Sequence, residues 1–403
     1  EYSIVYTKGY TNNAKDDVIQ NGIKYNKDVT LISNPFTGRS YTVKYSTPPS
    51  DRDWDKVTAP AGFNGTLEFA HWNILSKTYA AGTKLKNLTT KNGDKITATA
   101  QWKDKKFILP VVSRPGYVFA GWYSLVDRKV YKANTEYTIS QALTAYDNTF
   151  TAQWTAKTDT PYKVEHYKMN LDGITYTLAD TDNFKDTTDT SVTPAIKTYE
   201  GFTSPSTQTV TIKGDGTTVV KYYYIRNKYT LDLNGFISSV SRPNLTEEVD
   251  GQIFIAGKAT VTVNGKVLAT NETDFCQMVY YGSSYKITTV PEAGYSIIGN
   301  TTVEGTMPAS DKTVTITINT NKDTKYIVRH WKEKLYLDGT KTYADSSKHN
   351  TTNYFLADTD NLTGQTNRLV TPTVKTYEGF TSPSAITVRV KGDGSLIVDY
   401  YYT

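Results

Sequence analysis

The histidines are the first residues to consider for chemistry, because imidazole both transfers protons and binds metals near neutral pH. The chain has four: His71, His166, His330 and His349. His166 and His330 occupy equivalent positions of a repeated unit, which favours a packing role over the alternative of a ligand role. A zinc site needs three or four converging ligands, and no His or Cys spacing provides them. The sequence therefore predicts no metal centre.

Two pairs of carboxylates are the next candidates. Asp180 and Asp182 in the first copy of the repeat match Asp358 and Asp360 in the second. Residues two apart on a strand share a face, so each pair could contribute oxygens to Ca²⁺. Calcium takes six to eight oxygen ligands, and no loop of the Asp-x-Asp-x-Asp-Gly type follows. We predict a solvated strand end or turn, with a calcium site as the alternative.

Nucleophilic chemistry has little support in the sequence. Cys276 is the one cysteine, so an internal disulfide is impossible. Its neighbour Gln277 raises the alternative of a Cys–Gln thioester, but we do not expect adjacent residues to form that ring. Cys276 is therefore predicted to be a small buried hydrophobic residue. The motifs of zinc proteases, serine hydrolases, P-loops and Cys-x-x-Cys redox sites are all missing from the sequence, so we predict no catalytic residue and no cofactor.

Trp54 and Arg52 are the candidate ligand-binding residues. They lie in the polar stretch Pro48–Asp55, and an exposed aromatic residue beside an arginine is typical of a binding hot spot. The alternative, that Trp54 folds back over the core of its own domain, is favoured over exposure.

A duplication organises the chain that carries these residues. The decapeptide Lys197–Ser206 recurs as Lys375–Ser384, and 30 of 47 positions are identical between Leu178–Tyr224 and Leu356–Tyr402. Apolar residues alternate with polar ones around Gly392–Gly394, which predicts two strands joined as a hairpin. Each copy is expected to be a small unit of strands.

The N-terminal part contains a different repeat. A strand ending in tryptophan is followed by a strand ending in Ala-Gln-Trp, once at Phe69–Trp102 and again at Gly116–Trp154. We expect the two tryptophans of each copy to pack into one small core. Residues 39–67 are predicted to form an added hairpin in the first copy. Between residues 228 and 322, Asn264-Gly265 predicts a further hairpin turn.

These motifs resemble known families. Gly116–Trp154 is similar to the internalin-type B repeat, also called the Listeria–Bacteroides repeat, and Phe69–Trp102 resembles a longer variant in which His71 replaces the usual glycine. The duplicated unit resembles the mucin-binding-protein-like repeats of Gram-positive surface proteins. The resemblance implies compact β-grasp-like domains that occur in strings on secreted, wall-anchored proteins.

Composition sets the broad class. The net charge is +5 over 403 residues, and the basic residues alternate with acidic ones, so nucleic-acid binding is not expected. No apolar run approaches the ~20 residues of a membrane helix, so membrane insertion is not expected either. The 32 tyrosines and the scarcity of methionine favour strands over helices.

The predicted fold is mainly β, with α+β or β-grasp-like modules in an elongated, multi-domain tandem array. No long helix is expected, and residues 141–146 are predicted to form one short turn. The predicted domains are 1–102, an internalin-B-type repeat with the inserted hairpin; 103–157, a second, shorter repeat; 158–227, the first mucin-binding-protein-like copy; 228–322, an additional β domain; and 323–403, the second copy.

The predicted function is that of a non-catalytic stalk or adhesin segment at the extracellular bacterial cell surface or cell wall. It would space or present a binding head, with a host glycan or an extracellular protein as partner. The alternative is a set of accessory modules of a large secreted glycosidase or protease. The chain begins and ends within strand-like sequence, so we expect a monomeric piece of a longer protein.

Overall fold

The computed structural model describes residues 1–10, 14–48, 52–237, 240–241, 244–334, 349 and 351–403. These residues form strands and three short 3₁₀ turns, and no α-helix occurs among them. The turn at Leu143–Ala145 confirms the one predicted in residues 141–146. The mainly-β tandem array is confirmed, and the β-grasp assignment stays a prediction.

The described residues divide into two compact units. The first contains Glu1–Glu165, Thr181–Ala195 and Thr207–Lys221, and the second contains His166–Asp180, Ile196–Ser206 and Tyr222–Thr403. The five predicted domain boundaries stay a prediction.

The N-terminal part of the first unit has fourteen strands in two large sheets and two small ones. The strands are β1 (Tyr2–Thr7), β2 (Val18–Ile23), β3 (Asp28–Thr30), β4 (Ser40–Ser46), β5 (Phe63–Thr66), β6 (Phe69–Ile74), β7 (Lys77–Tyr79), β8 (Lys84–Lys86), β9 (Lys95–Trp102), β10 (Lys105–Ile108), β11 (Tyr117–Ser124), β12 (Val130–Tyr131), β13 (Glu136–Ile139) and β14 (Asp147–Ala156). The other 3₁₀ turns are Ala14–Asp16 and Asp53–Asp55.

The two large sheets have the same topology. One has the order β2-β1-β9-β6-β7, and the other has the order β5-β4-β14-β11-β12. In each sheet the second and third strands are parallel and the outer strands pair antiparallel. A small pair completes each set, β3 with β8 in one and β10 with β13 in the other. We call these sets module A (β1–β3 and β6–β9) and module B (β4, β5 and β10–β14).

The chain interlocks the two modules. The hairpin predicted within residues 39–67 is present, because β4 and β5 pair antiparallel. The hairpin was predicted to belong to the first repeat, and this placement is wrong, because β4 pairs in parallel with β14 of module B. Module B therefore takes its first two strands from a segment inserted into module A.

Side-chain alternation explains this pairing. Tyr41 and Val43 of β4 are buried, as Tyr2 and Ile4 are in β1. Tyr45 then lies 5.0 Å from Trp122 between ring centroids, while the matching Tyr6 lies 4.8 Å from Trp72. The hairpin thus supplies module B with the aromatic contact that β1 supplies to module A.

In both modules one phenylalanine contacts the two tryptophans, but the expectation of a separate small core in each copy is wrong. Phe69 lies 5.0 Å from Trp72 and 6.2 Å from Trp102 between ring centroids. Phe119 bridges Trp122 and Trp154 in the same way, at 5.4 and 5.2 Å. The buried residues of both modules form one continuous hydrophobic cluster rather than two separate cores.

The first copy of the duplicated unit (copy 1, residues 158–227) follows. Its short strands pair antiparallel, β17 with β19, and β18 with the end of β20. The strands are β15 (Thr160–Met169), β16 (Tyr176–Asp186), β17 (Ser191–Val192), β18 (Phe202–Thr203), β19 (Val210–Thr211) and β20 (Val219–Arg226).

Residues 228–322, called the middle domain here, have their own core of buried Leu, Ile and Val side chains. The predicted Asn264-Gly265 hairpin is confirmed, with both residues at positive φ. The strands are β21 (Lys228–Ile237), β22 (Val240–Ser241), β23 (Thr246–Val249), β24 (Gln252–Ile255), β25 (Gly257–Val263), β26 (Lys266–Glu272), β27 (Phe275–Tyr280), β28 (Ser284–Pro291), β29 (Tyr295–Ile298), β30 (Thr302–Thr306) and β31 (Lys312–Thr320).

The second copy (copy 2, residues 323–403) has a sheet of order β33-β32-β36 and the small pair β34–β35. The alternation predicted after Gly394 is confirmed, since Val398, Tyr400 and Tyr402 are all buried, whereas Ile386 before the turn is exposed. The predicted closing hairpin is wrong: the chain turns at Gly392–Gly394, but β35 pairs with β34 while β36 pairs with β32. The strands are β32 (Thr324–Glu333), β33 (Tyr354–Gly364), β34 (Leu369–Val370), β35 (Val388–Arg389) and β36 (Ile397–Tyr402).

Four of these β units share one arrangement. The first strand lies beside the last and parallel to it: β1 with β9, β4 with β14, β21 with β31, and β32 with β36. In such a unit the chain enters at one end of the sheet and leaves at the opposite end.

Candidate functional site

Trp54 and Arg52 lie together beside a groove of about 560 Å³. Arg52 precedes the Asp53–Asp55 3₁₀ turn and Trp54 is its middle residue, and the Arg52 guanidinium carbon lies 4.8 Å from the centre of the Trp54 ring. The groove is also lined by threonine, valine and lysine side chains of copy 1, namely Val210, Thr211, Lys213, Thr217, Thr218 and Val219.

Arg52 is held in a network of ion pairs. Its guanidinium group binds both oxygens of Asp189, and Nη2 lies 3.2 Å from Oδ2 of Asp55. Asp55 is fully buried and also binds Arg114, with 2.7 Å between Oδ2 and Nη2. Truncating one member of such a network leaves a buried charge uncompensated. Arg52 therefore has a structural role, whether or not it also meets a ligand.

Trp54 is half-buried, so the structure shows a mixture of the two sequence-based alternatives. One edge of its ring packs against Gly214 of copy 1, where a methyl group would meet the ring at 2.6 Å. Another part of the side chain lines the groove. Ligand binding by Trp54 and Arg52 stays a prediction.

The groove borders a contact that we call the entry joint of copy 1. Here Gly116 of module B lies against Gly214, and a Cβ on Gly116 would come within 2.2 Å of the Gly214 Cα. A backbone relay crosses the joint: the Lys157 N–H donates to Gly116 O over 2.8 Å, and the Thr188 N–H donates to Lys157 O over 2.9 Å. Glycine is required at Gly116 by both the close approach and its φ of +75°.

The middle domain meets copy 2 through an entry joint of the same design. A Cβ on Gly294 would come within 2.5 Å of the Gly392 Cα, and φ at Gly294 is +88°. The relay recurs, with the Asn321 N–H donating to Gly294 O over 2.9 Å and the Thr366 N–H donating to Asn321 O over 3.0 Å. The same joint is thus built twice on two different partner domains.

A tyrosine follows the joint glycine in both cases. Tyr117 donates a hydrogen bond to Asp189. Tyr295 donates to Glu247 over 2.8 Å and accepts from Asn367, the counterpart of Asp189. Burial and the bond to Glu247 both raise the pKa of Tyr295, so the phenol stays protonated and can keep donating.

Copy 1 contacts the middle domain at what we call the exit joint. Tyr281 packs against Gly201 and lies edge-on to Phe202, with 6.1 Å between ring centroids. Arg226 donates from Nη1 to Tyr281 O over 2.9 Å. The Tyr281 N–H donates to Asn227 O, and the Asn227 N–H donates to Gly201 O, both over 2.9 Å.

The equivalent histidines are buried structural residues. His166 and His330 are both inaccessible to solvent, and Nδ1 of each lies 2.9 Å from a tyrosine oxygen, that of Tyr224 or Tyr402. Nε2 of His330 lies 3.1 Å from Asp360. Because Nε2 faces a carboxylate, the tautomer with its proton on Nε2 is favoured, and Nδ1 accepts from the tyrosine.

Lysine takes the place that a calcium ion would have at the second Asp pair. Nζ of Lys375 lies 2.6 Å from Asp360 and also binds Asp358. The Lys375 ammonium group lowers the pKa of both carboxyl groups. In copy 1, Asp180 accepts a hydrogen bond from Tyr199. The described residues contain no cluster of three or more His, Cys, Asp or Glu side chains that could hold a metal.

Cys276 is exposed on β27, so its prediction as a buried hydrophobic residue is wrong. Phe275 takes the buried position, and because neighbouring side chains of a strand point to opposite faces, Cys276 points to the other face. No helix in the described part of the chain has the length and hydrophobicity of a membrane-spanning segment.

Comparison with known proteins identifies no family. The chain matches no protein-family model and no curated protein. Among solved structures it is similar to the Bacillus anthracis TIE protein, at 10% identity over 96% of this chain and 80% of that one, with a TM-score of 0.35.

Two pilins show weaker similarity. The shaft pilin SpaA from Lactobacillus rhamnosus GG is 10% identical over 44% of this chain and 98% of its own, with a TM-score of 0.19. The minor pilin GBS52 of Streptococcus agalactiae is 10% identical over 70% and 96%, with a TM-score of 0.17. Similarities at this level do not determine fold or function.

The joints are the structural feature that the sequence did not reveal. A signal was present, because Gly-Tyr occurs at residues 116–117 and 294–295, ahead of each copy, and Lys-Gly-Asp-Gly occurs inside each copy. Neither motif indicates its partner, since the contact joins residues that are about 100 positions apart, as between Gly116 and Gly214.

Proposed function

We propose that this chain is a non-catalytic segment of an extracellular bacterial surface protein, and that it serves as a load-bearing stalk that spaces or presents a binding head. The observation that carries the proposal is the parallel pairing of first and last strands in four β units. The family resemblance of the repeats supports the surface location.

The strand arrangement determines how tension acts on a unit. When neighbouring terminal strands are parallel, the two chain ends leave the sheet in opposite directions, so a pull on them runs along the strands. The backbone hydrogen bonds between the strands are then loaded together rather than one at a time. Six residue pairs join β32 to β36, and seven join β21 to β31.

The joints support the same role. Each entry joint combines a glycine-to-glycine contact with two backbone hydrogen bonds in series, so the connecting residue is itself part of the interface. Lys157 and Asn321 are these connecting residues. A connection of this kind restricts bending, unlike a flexible Gly/Ser linker.

The absence of catalysis is part of the proposal. His166 and His330 are buried and hydrogen-bonded to tyrosines, and Asp358 and Asp360 bind a lysine. A catalytic group must be within reach of a substrate, and these buried histidines are not.

Single-molecule force measurements on copy 2 test the stalk proposal. The full chain is pulled first by its termini, and then between cysteines introduced by Asp323→Cys and Ser395→Cys in a Cys276→Ser background. Both introduced positions are exposed and lie at the starts of β32 and β36, so this second geometry peels the two strands apart one residue pair at a time.

We expect copy 2 to resist a clearly higher force when it is pulled through its termini, because forced unfolding depends on the barrier along the pulling direction. Equal forces in the two geometries would show that the parallel terminal strands do not bear load, and would overturn the proposal.

A further inference from the structure

The repeated decapeptide makes contact with a neighbouring domain in one copy and is open in the other. In copy 1, Gly201 is buried, and a Cβ on it would come within 2.2 Å of the Tyr281 ring. In copy 2, Gly379 is exposed, and no atom of the described residues lies within 4 Å of the corresponding Cβ.

The open face already has the shape of the occupied one. Gly379 has φ of +79°, against +74° for Gly201. Lys332 lies 5.2 Å from the ring centre of Phe380, as the matching Lys168 lies 5.6 Å from Phe202. At these two points the face formed by Gly379 and Phe380 matches the face that is occupied in copy 1.

The exit joint of copy 1 shows what fits this face. Its occupant is the turn Tyr280–Gly282. The Tyr281 ring packs T-shaped against Phe202, the Tyr281 N–H donates to Asn227 O, and the Tyr281 C=O accepts from Arg226. Because Gly201 has no Cβ, it leaves room for the Tyr281 ring. That ring and the Phe202 ring are T-shaped to each other, which is a favourable geometry for an aromatic pair.

We propose that the Gly379–Phe380 face of copy 2 is a docking surface for a β domain that presents an aromatic-aromatic-glycine turn of the Tyr280–Gly282 type. The inference rests on the tandem-array part of the proposed function and not on load bearing. Docking that fails while copy 2 still resists force would overturn this inference alone.

The test extends the full chain after Thr403 by Arg-Asn and a second copy of residues 228–322, which carry their own hydrophobic core. Cys276 is changed to Ser in the chain, and its counterpart in the appended domain is changed to Ser as well. One spin label is attached at Glu378→Cys, and the other is attached at a cysteine that replaces the counterpart of Lys266 in the appended domain. The distribution of distances between the two labels is then measured. The matched reference carries labels at Glu200→Cys and Lys266→Cys, across the existing exit joint; Glu200, Lys266 and Glu378 are all exposed.

We expect the new pair of labels to give a distribution as narrow as the reference pair. Two changes should broaden it at least twofold: the Tyr281 counterpart to alanine in the appended domain, and Phe380→Ser on the receiving face. Thermal unfolding checks that the appended domain is folded in each case. A broad distribution in the unmodified extension, or a narrow one that neither change affects, would overturn the proposal.

Discussion

Removing the inserted hairpin should unfold module B and spare module A. Leu67 donates its N–H to Arg39 O over 3.0 Å, so the two ends of the insertion are already hydrogen-bonded neighbours. Residues 40–66 can therefore be replaced by Asn-Gly, which favours a two-residue hairpin turn. In the sequence-based division of the chain, this change alters the first repeat and leaves residues 103–157 complete.

The structure predicts the opposite outcome. The replacement removes Tyr41 and Val43, which are buried, and Tyr45, which packs on Trp122. At about 1.5–3 kcal/mol for each buried side chain, with less for the half-buried Tyr45, the loss is about 4–8 kcal/mol before the five residue pairs with β14 are counted. Whole domains are stable by about 5–15 kcal/mol, so module B should not remain folded.

Module A should keep its core after the replacement. The rings around Trp72 belong to Tyr6, Phe36 and Phe69, and none of these residues is removed. Hydrogen exchange measured by mass spectrometry separates the two modules, with β11 and β14 losing protection while β6 and β9 retain it. Tyr45→Ala is the milder form of the change and should weaken protection in β11 and β14 alone. Full protection of β11 and β14 after the replacement would refute the interlocked arrangement.

Three further predictions concern the joints, the acidic pair and the groove. Gly294→Ala should destabilise the protein by about 1–3 kcal/mol in chemical denaturation, and more than Gly299→Ala, which has a similar positive φ but open space around it; equal effects would mean that the close approach at the joint is unimportant. Lys375 lowers the pKa of Asp360, so this pair stabilises copy 2 above about pH 4, and the stabilisation is lost as the pH falls further. Lys375→Met should therefore make the free energy of unfolding depend less on pH between about 5 and 2, and an unchanged slope would contradict this. Trp54→Ala should abolish binding in a glycan array and host-protein pulldown with only a small change in melting temperature, whereas a large loss of stability with binding retained would assign Trp54 to packing alone.

The strands and their buried faces were predictable from the sequence, because alternation with period two records which side chains point inward. Val398, Tyr400 and Tyr402 are an example. The pairing partner of each strand was harder to predict, because alternation shows which face of a strand is buried and not which strand lies beside it. Tyr41 and Val43 fit the sheet of either N-terminal module, and only the pairing with β14 decides between them.

The candidate site shows the same division. An aromatic residue beside a cation was recognisable at Trp54 and Arg52, but the ion pairs of Arg52 with Asp189 and Asp55 were not, because Asp189 is 137 positions away. The burial of His166 and His330 followed from their equivalent places in the repeat. The exposure of Cys276 did not, because Phe275 beside it is equally suited to the buried position.

The crossing of the two N-terminal modules bears on how the chain folds as it is made. Synthesis delivers β4 and β5 early, but their neighbour β14 ends at Ala156, some 90 residues after β5. Until β14 is made, β4 has no partner on one edge, while module A assembles around the two ends of the hairpin. The edge of β4 is therefore exposed during translation. Because of the same crossing, duplication or loss of one module alone would leave strands without their pairing partners. We therefore expect the first 156 residues to be inherited as one block.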